Sequence, residues 1–126
     1  MDRTSEQVQV QALRNFIVHG APYVFPAKVG RVARGVPTAS SAPMFAAEFG
    51  GPASDPGQNF VWPSAAGDVR GLSIEPLTDA VPEIALRNPL MYARLAAFDA
   101  IRAGRARERS AGALVIQSLA AEAGAA

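Results

Sequence analysis

The sequence predicts an α+β fold: an N-terminal helix, a small antiparallel β element, and a C-terminal helical hairpin or bundle. Three observations lead there. Thr4 and Gln7 have the spacing of a capping box, and Val8, Ala12, Phe16 and Ile17 then fall near one helical face. All ten prolines precede residue 90, which concentrates irregular and extended backbone in the first two thirds of the chain. After the last of them, Met91, Leu95, Phe98 and Ile101 recur at helical spacing. A chain of 126 residues is the size of one domain. We expect 1–126 to form one, with a helix over 5–19, a loop-rich β region over 21–78 and a helical region over 79–122.

Each element has a local reason. Gly20 and Pro22 end the first helix, whose polar residues Gln9, Gln11, Arg14 and Asn15 lie away from the apolar stripe, so the stripe needs a partner surface. Tyr23–Phe25 is a short strand candidate bounded by Pro22 and Pro26. The antiparallel element is expected from about 23–36 and 69–75. In VRGLSIEPL (Val69 to Leu77), Leu72 and Ile74 alternate with Gly71 and Ser73, and Trp62-Pro63 leads into this strand through a polar turn. Ala42 to Phe49 can form one or two helical turns with Pro43 near the start, and GGPASDPGQ (Gly50 to Gln58) reads as an exposed, flexible loop. Pro82 opens a short helix that ends by Asn88. Asn88 is a good N-cap, and Pro89 sits at the first helical position, where its missing N–H costs little. That helix runs to Gly104, the turn reads AGRARER, and a last helix carries Gly112, Val115, Ile116 and Leu119 on one face.

Composition narrows the chemistry. With no cysteine, disulfides, thiolate zinc sites and thiol catalysis are excluded, which fits a reducing compartment. No apolar run approaches the roughly 20 residues that span a bilayer. The opening MDRTSEQVQVQ is too polar for a signal peptide, and a cytoplasmic location is expected. His19, the one histidine, stands at the end of the first helix and reads as a capping or half-buried group. One histidine and no cysteine leave a transition-metal site without its usual ligands, so no metal or other cofactor is expected. The carboxylates Glu48, Asp55, Asp68, Glu75, Asp79 and Glu83 form no tight motif. GRVARG (Gly30 to Gly35) has the glycine spacing of a phosphate loop, but Val36-Pro37-Thr38 stands where the lysine and hydroxyl residue belong. Its glycines instead read as turn residues that permit positive φ.

What remains is charge. The formal net charge is +1, so the molecule as a whole exerts no general field on nucleic acid. Locally, Tyr23 to Pro43 (YVFPAKVGRVARGVPTASSAP) reads as a shaped loop that presents Lys28, Arg31 and Arg34. The turn after the penultimate helix carries Arg102, Arg105, Arg107 and Arg109. These seven are the candidate partner- or anion-binding residues, since guanidinium forks take phosphate or carboxylate in bidentate fashion. Tyr92 and Phe98 read as core rather than as stacking platforms for single strands. The helix before AGRARER is mostly Leu, Ala, Met and Phe, and so offers little to read bases with.

Three blocks together, QALRNFIVHGAPYVFPAKVGRVARGVPTASSAP, VWPSAAGDVRGLSIEPL and VPEIALRNPLMYARLAAFDAIRAGRARERSAGALVI, resemble the C-terminal region of bacterial helix-turn-helix regulators of the MarR-like winged-helix class. In such regulators the DNA-binding winged helix precedes QALRNFIVHG, and here only ten residues do. The resemblance therefore implies the effector, dimerisation or partner-docking part of a regulator, meeting DNA only indirectly. The expected function is a non-catalytic module of transcription regulation or a toxin–antitoxin-like system, acting through a protein partner or as a homodimer, without membrane association. Two other classes stay open. A small enzyme acting on a phosphorylated substrate requires Arg31, Arg34 and Asp68 or Glu75 to converge on a pocket. A structural or phage assembly component requires a large oligomer.

Overall fold

Three short strands close on one another around three glycines. In the computed structural model these are β1 (Val29–Pro37), β2 (Phe60–Pro63) and β3 (Val69–Ile74), each paired with the other two. The structure describes residues 12, 13, 15, 20 and 27–125, the side chains of 119–125 excepted. Of the expected helix 5–19, Ala12, Leu13 and Asn15 are described, and all three are helical and exposed. The rest of that expectation, together with His19 and Tyr23–Phe25, lies outside the described residues.

The α+β class holds: the sheet is followed by a helical C-terminal part. β1 runs antiparallel to β3, with Val32 opposite Leu72 and Gly35 opposite Val69, as the sequence predicts for that pair. β2 was not expected as a strand. It pairs antiparallel with the last residues of β1, Val36 opposite Trp62, and parallel with β3, Phe60 beside Leu72. Such closure needs backbones nearer than side chains allow. A Cβ on Gly35 would stand 2.0 Å from the Trp62 carbonyl oxygen, and one on Gly67 would stand 1.9 Å from the Gly35 carbonyl carbon. A Cβ on Gly71 would meet Asn59 at 2.8 Å. The GRVARG glycines are thus not positive-φ turn residues: among the described glycines only Gly50 and Gly51 have positive φ. Gly35 is required because another strand lies against it.

Four helices follow or interrupt the strands: α1 (Ala46–Phe49), α2 (Val81–Arg87), α3 (Pro89–Ala103) and α4 (Ala106–Ala125). The Asn88 side chain accepts the Met91 N–H at 3.1 Å, so the predicted cap is present, with Pro89 at the first position. The turn between α3 and α4 is shorter than AGRARER. It is Gly104-Arg105, and Arg107, Glu108 and Arg109 already lie in α4. α3 and α4 approach through small residues. Ala96, Ala97, Ala100 and Gly112 are buried, and a Cβ on Gly112 would come within 2.7 Å of the Ala97 carbonyl oxygen. The alanine-rich composition is therefore what lets these helices pack closely. The larger core side chains, Trp62, Phe45, Ile74 and Ile101, fill the space between sheet and helices.

Candidate functional site

The segment after β1 turns inward rather than presenting charge. Thr38 is fully buried, and its backbone N–H donates to the Phe60 carbonyl at 2.9 Å. Two 3₁₀ turns follow, Ala39–Ser41 and Pro43–Phe45. The Ser41 hydroxyl accepts the Phe60 N–H at 3.0 Å, so this segment is tied along β2. Between these anchors Ala39 is held at φ +53, a left-handed conformation that costs an alanine roughly 1–2 kcal/mol. Anchors on both sides stabilise the turn against that strain.

Everything in this region converges on Asp99, a buried carboxylate on the inner face of α3. Thr38 Oγ1 and Trp62 Nε1 both donate to Asp99 Oδ2 at 2.8 Å. Arg102 Nη2 donates to Oδ1 at 2.7 Å, one turn further along the same helix. The Arg102 and Asp99 side chains are only 6% and 4% exposed, and the Arg102 guanidinium lies 4.9 Å over the Phe98 ring. Burial pushes the Asp99 carboxyl above its ordinary value, and the pull of Arg102, Thr38 and Trp62 toward the charged form does not fully offset it. Beside this node the Trp62 and Tyr92 rings pack at 5.7 Å. The Tyr92 hydroxyl donates to the Pro37 carbonyl, and burial raises its pKa to about 12. One carboxylate thus ties β2, the Thr38 turn and α3 together. At 4% side-chain exposure it is closed to solvent.

The seven predicted contact residues separate once placed. Arg102 leaves the set, because it is buried against Asp99 rather than offered to a partner. Arg107 is partly engaged: its Nη2 donates to the Glu48 carbonyl at 3.3 Å and its guanidinium lies 5.2 Å over the Phe49 ring, which holds the start of α4 against α1. Lys28 stands 3.9 Å from Glu75, with side chains 84% and 68% exposed, too solvated a pair to contribute much stability. Arg105 and Arg109 are exposed at the start of α4. Arg31 and Arg34 are exposed too, but on strand β1 and not on a loop. The structure adds one residue that the sequence did not single out: Arg70 on β3, directly opposite Arg34.

Two clefts border these groups. One, of about 500 Å³, lies between the α3–α4 turn and the middle loops, lined by Ser40, Gln58, Phe60, Arg105 and Glu108. The other, of about 600 Å³, is an open groove lined by Lys28, Val29, Ser73, Glu75 and Asp79. Neither is lined by Arg31, Arg34 or Asp68, so the convergence that a phosphoryl-substrate enzyme requires is not found in either. Among the described residues no three His, Asp or Glu side chains gather as a metal site, and no helix is long and apolar enough to cross a membrane. No family model, curated protein or solved structure matches this chain.

Asp99, Thr38 and Trp62 were missed by motif reading because they are far apart in sequence. A signal existed nonetheless: a lone acid among Ala96, Ala97, Ala100 and Ile101, on the apolar side of a helix, with an arginine three residues on. A carboxylate in that position must find donors or destabilise the core.

Proposed function

We propose that this chain is a non-catalytic interaction module, equivalent to the C-terminal effector or dimerisation part of a bacterial transcription regulator of the MarR-like class. It acts through protein contacts, including contacts with a second copy of itself. One observation supports this reading above the others. The buried carboxylate, the group best suited to acid–base chemistry, is enclosed in a node that joins sheet to helix, while the arginines at the start of α4 face solvent. Arginine is favoured at protein interfaces because its planar fork binds carboxylates and its stem packs on apolar surface.

Arg105 and Arg109, steadied by Arg107 against Phe49, form the contact corner. The amphipathic stretch 5–19, whose sequence calls for a covering surface, supplies apolar area for self-association. Sedimentation across micromolar concentrations tests this directly. The expected species is heavier than the 13.1 kDa monomer, and replacing Arg105, Arg107 and Arg109 together by alanine shifts it toward monomer. A clean monomer for the unaltered protein removes the self-association part. Substrate turnover abolished by a point change in either cleft overturns the non-catalytic reading.

A further inference from the structure

Arg34 and Arg70 are register partners on β1 and β3. Directly opposed residues of an antiparallel pair share a face, with Cβ atoms about 4.5–5.5 Å apart, where like charges repel. Both side chains are exposed, and among the described residues neither makes an ion pair, Asp68 two residues before Arg70 included. The repulsion cannot be relieved by slippage. The ladder is regular from Val32 to Gly35, and the close approach of Gly67 to Gly35 holds its end in place. Arg31, exposed on the same strand, has its carbonyl held by the Ser73 hydroxyl at 2.6 Å. Two guanidiniums thus stand together on one face of the β1–β3 pair, an arrangement that a bound anion would relieve, while Arg31, an odd number of residues from Arg34, belongs to the other face.

We propose that this face of the β1–β3 ribbon binds the phosphodiester backbone of duplex DNA, with Arg34 and Arg70 on neighbouring phosphates. A free phosphate is a poor fit, because the pair lines neither of these clefts. An acidic protein is a poor fit as well. The apolar surface along the ribbon is limited to Val29 and Val32, 49% and 39% exposed, and the half-buried Leu72. A stable protein interface buries about 800 Å² per partner, whereas phosphate contacts need no apolar area. Single strands call for exposed stacking aromatics, and none of the large exposed apolar side chains among the described residues is aromatic. This site goes beyond the protein-contact reading and is independent of it.

Fluorescence anisotropy of the full chain with a labelled mixed-sequence duplex tests the site, starting at about 20 mM salt, where phosphate contacts are strongest. Binding is expected to be sequence-independent and to weaken with salt, with a log–log slope of about −1.8 for two phosphates. The Arg34→Gln/Arg70→Gln double variant should lose nearly all of that slope, while melting at the same temperature as the parent or higher. Arg87→Gln/Arg94→Gln, which removes the same charge from exposed helix positions, should bind as the parent does. The proposal falls if the parent does not bind at low salt, if both double variants weaken alike, or if the ribbon variant binds normally. It falls too if that variant melts several degrees lower, since the pair would then be stabilising. Equal, Arg34- and Arg70-dependent binding of an oligoglutamate peptide would reassign the face to an acidic protein. Sedimentation of the same variant keeps the two readings separate, because the self-association proposed above should be unchanged.

Discussion

Arg102 and Arg105 are three residues apart and belong to opposite kinds of structure. Arg102 closes a buried node with Asp99, Thr38 and Trp62, in which each partner comes from a different part of the chain. Arg105 stands in solvent at the mouth of a cleft, with no ion pair among the described residues. The same contrast runs through the sheet. The β1–β2–β3 closure is held by glycines and a buried indole, while its outer face carries the opposed Arg34 and Arg70. One part of the molecule has its charges satisfied internally, and the other leaves them available.

The largest expected effect breaks the node. Asp99→Ala leaves Arg102 buried without its carboxylate and removes the acceptor of both Thr38 and Trp62. Breaking a buried pair on one side costs about 3–5 kcal/mol, and chemical denaturation should show a loss of that size. A loss below about 1 kcal/mol would mean that water or another acceptor replaces the carboxylate, and the contrast with Arg105 would fail.

Gly35→Ala comes next. The added methyl cannot stand 2.0 Å from the Trp62 carbonyl oxygen, so β1 and β2 must separate. Overpacking of this kind costs about 1–3 kcal/mol, and Trp62 fluorescence should shift as the indole leaves its packed position. An unchanged midpoint would show that the strands are not held as closely as the register implies.

How far all this was legible in the sequence follows from the range of the interactions. The helices α2 and α3 were readable because their determinants are local: Pro82 at the start of one, Asn88 and Pro89 opening the other, and Gly104 after the last apolar turn. The antiparallel pairing of β1 with β3 was readable from alternation in 69–75. β2 was not, because FVWP is short, ends in proline, and is a strand only through partners 24–28 residues upstream and 12 downstream. Among the seven candidate residues, exposure could not be judged from charge alone. The sequence treats Arg102 and Arg105 alike, and what separates them is Asp99, one helical turn before Arg102. The opposition of Arg34 and Arg70 is likewise a product of register, which a bulge between Val29 and Val32 shifts.

A finer probe of the node is its pH dependence. Because burial holds the folded Asp99 carboxyl above its unfolded value of 3.8, the folded state takes up a proton at higher pH than the unfolded state does. Stability contributed by Asp99 is therefore fully present below pH 3.8 and declines as pH rises through the folded pKa. Measured against Asp99→Asn, which cannot titrate, the stability advantage of the parent should grow as pH falls from neutral and level off below the unfolded pKa. The opposite slope would mean that the pairing with Arg102 outweighs burial.

The smallest expected effect is the one on which the contrast rests most directly. Arg105→Ala and Arg109→Ala remove charge from exposed positions with no described partner, and changes of that kind stay within about 0.5 kcal/mol. Each variant should unfold at nearly the parent's midpoint, in the same denaturation series in which Asp99→Ala falls far below it. Arg107→Ala should fall between them, since it gives up the Glu48 carbonyl and the Phe49 ring. If instead Arg105→Ala destabilised as much as loss of the Asp99 carboxylate, Arg105 would be a structural residue. Arg109 would then be the exposed arginine left at the start of α4 for a partner.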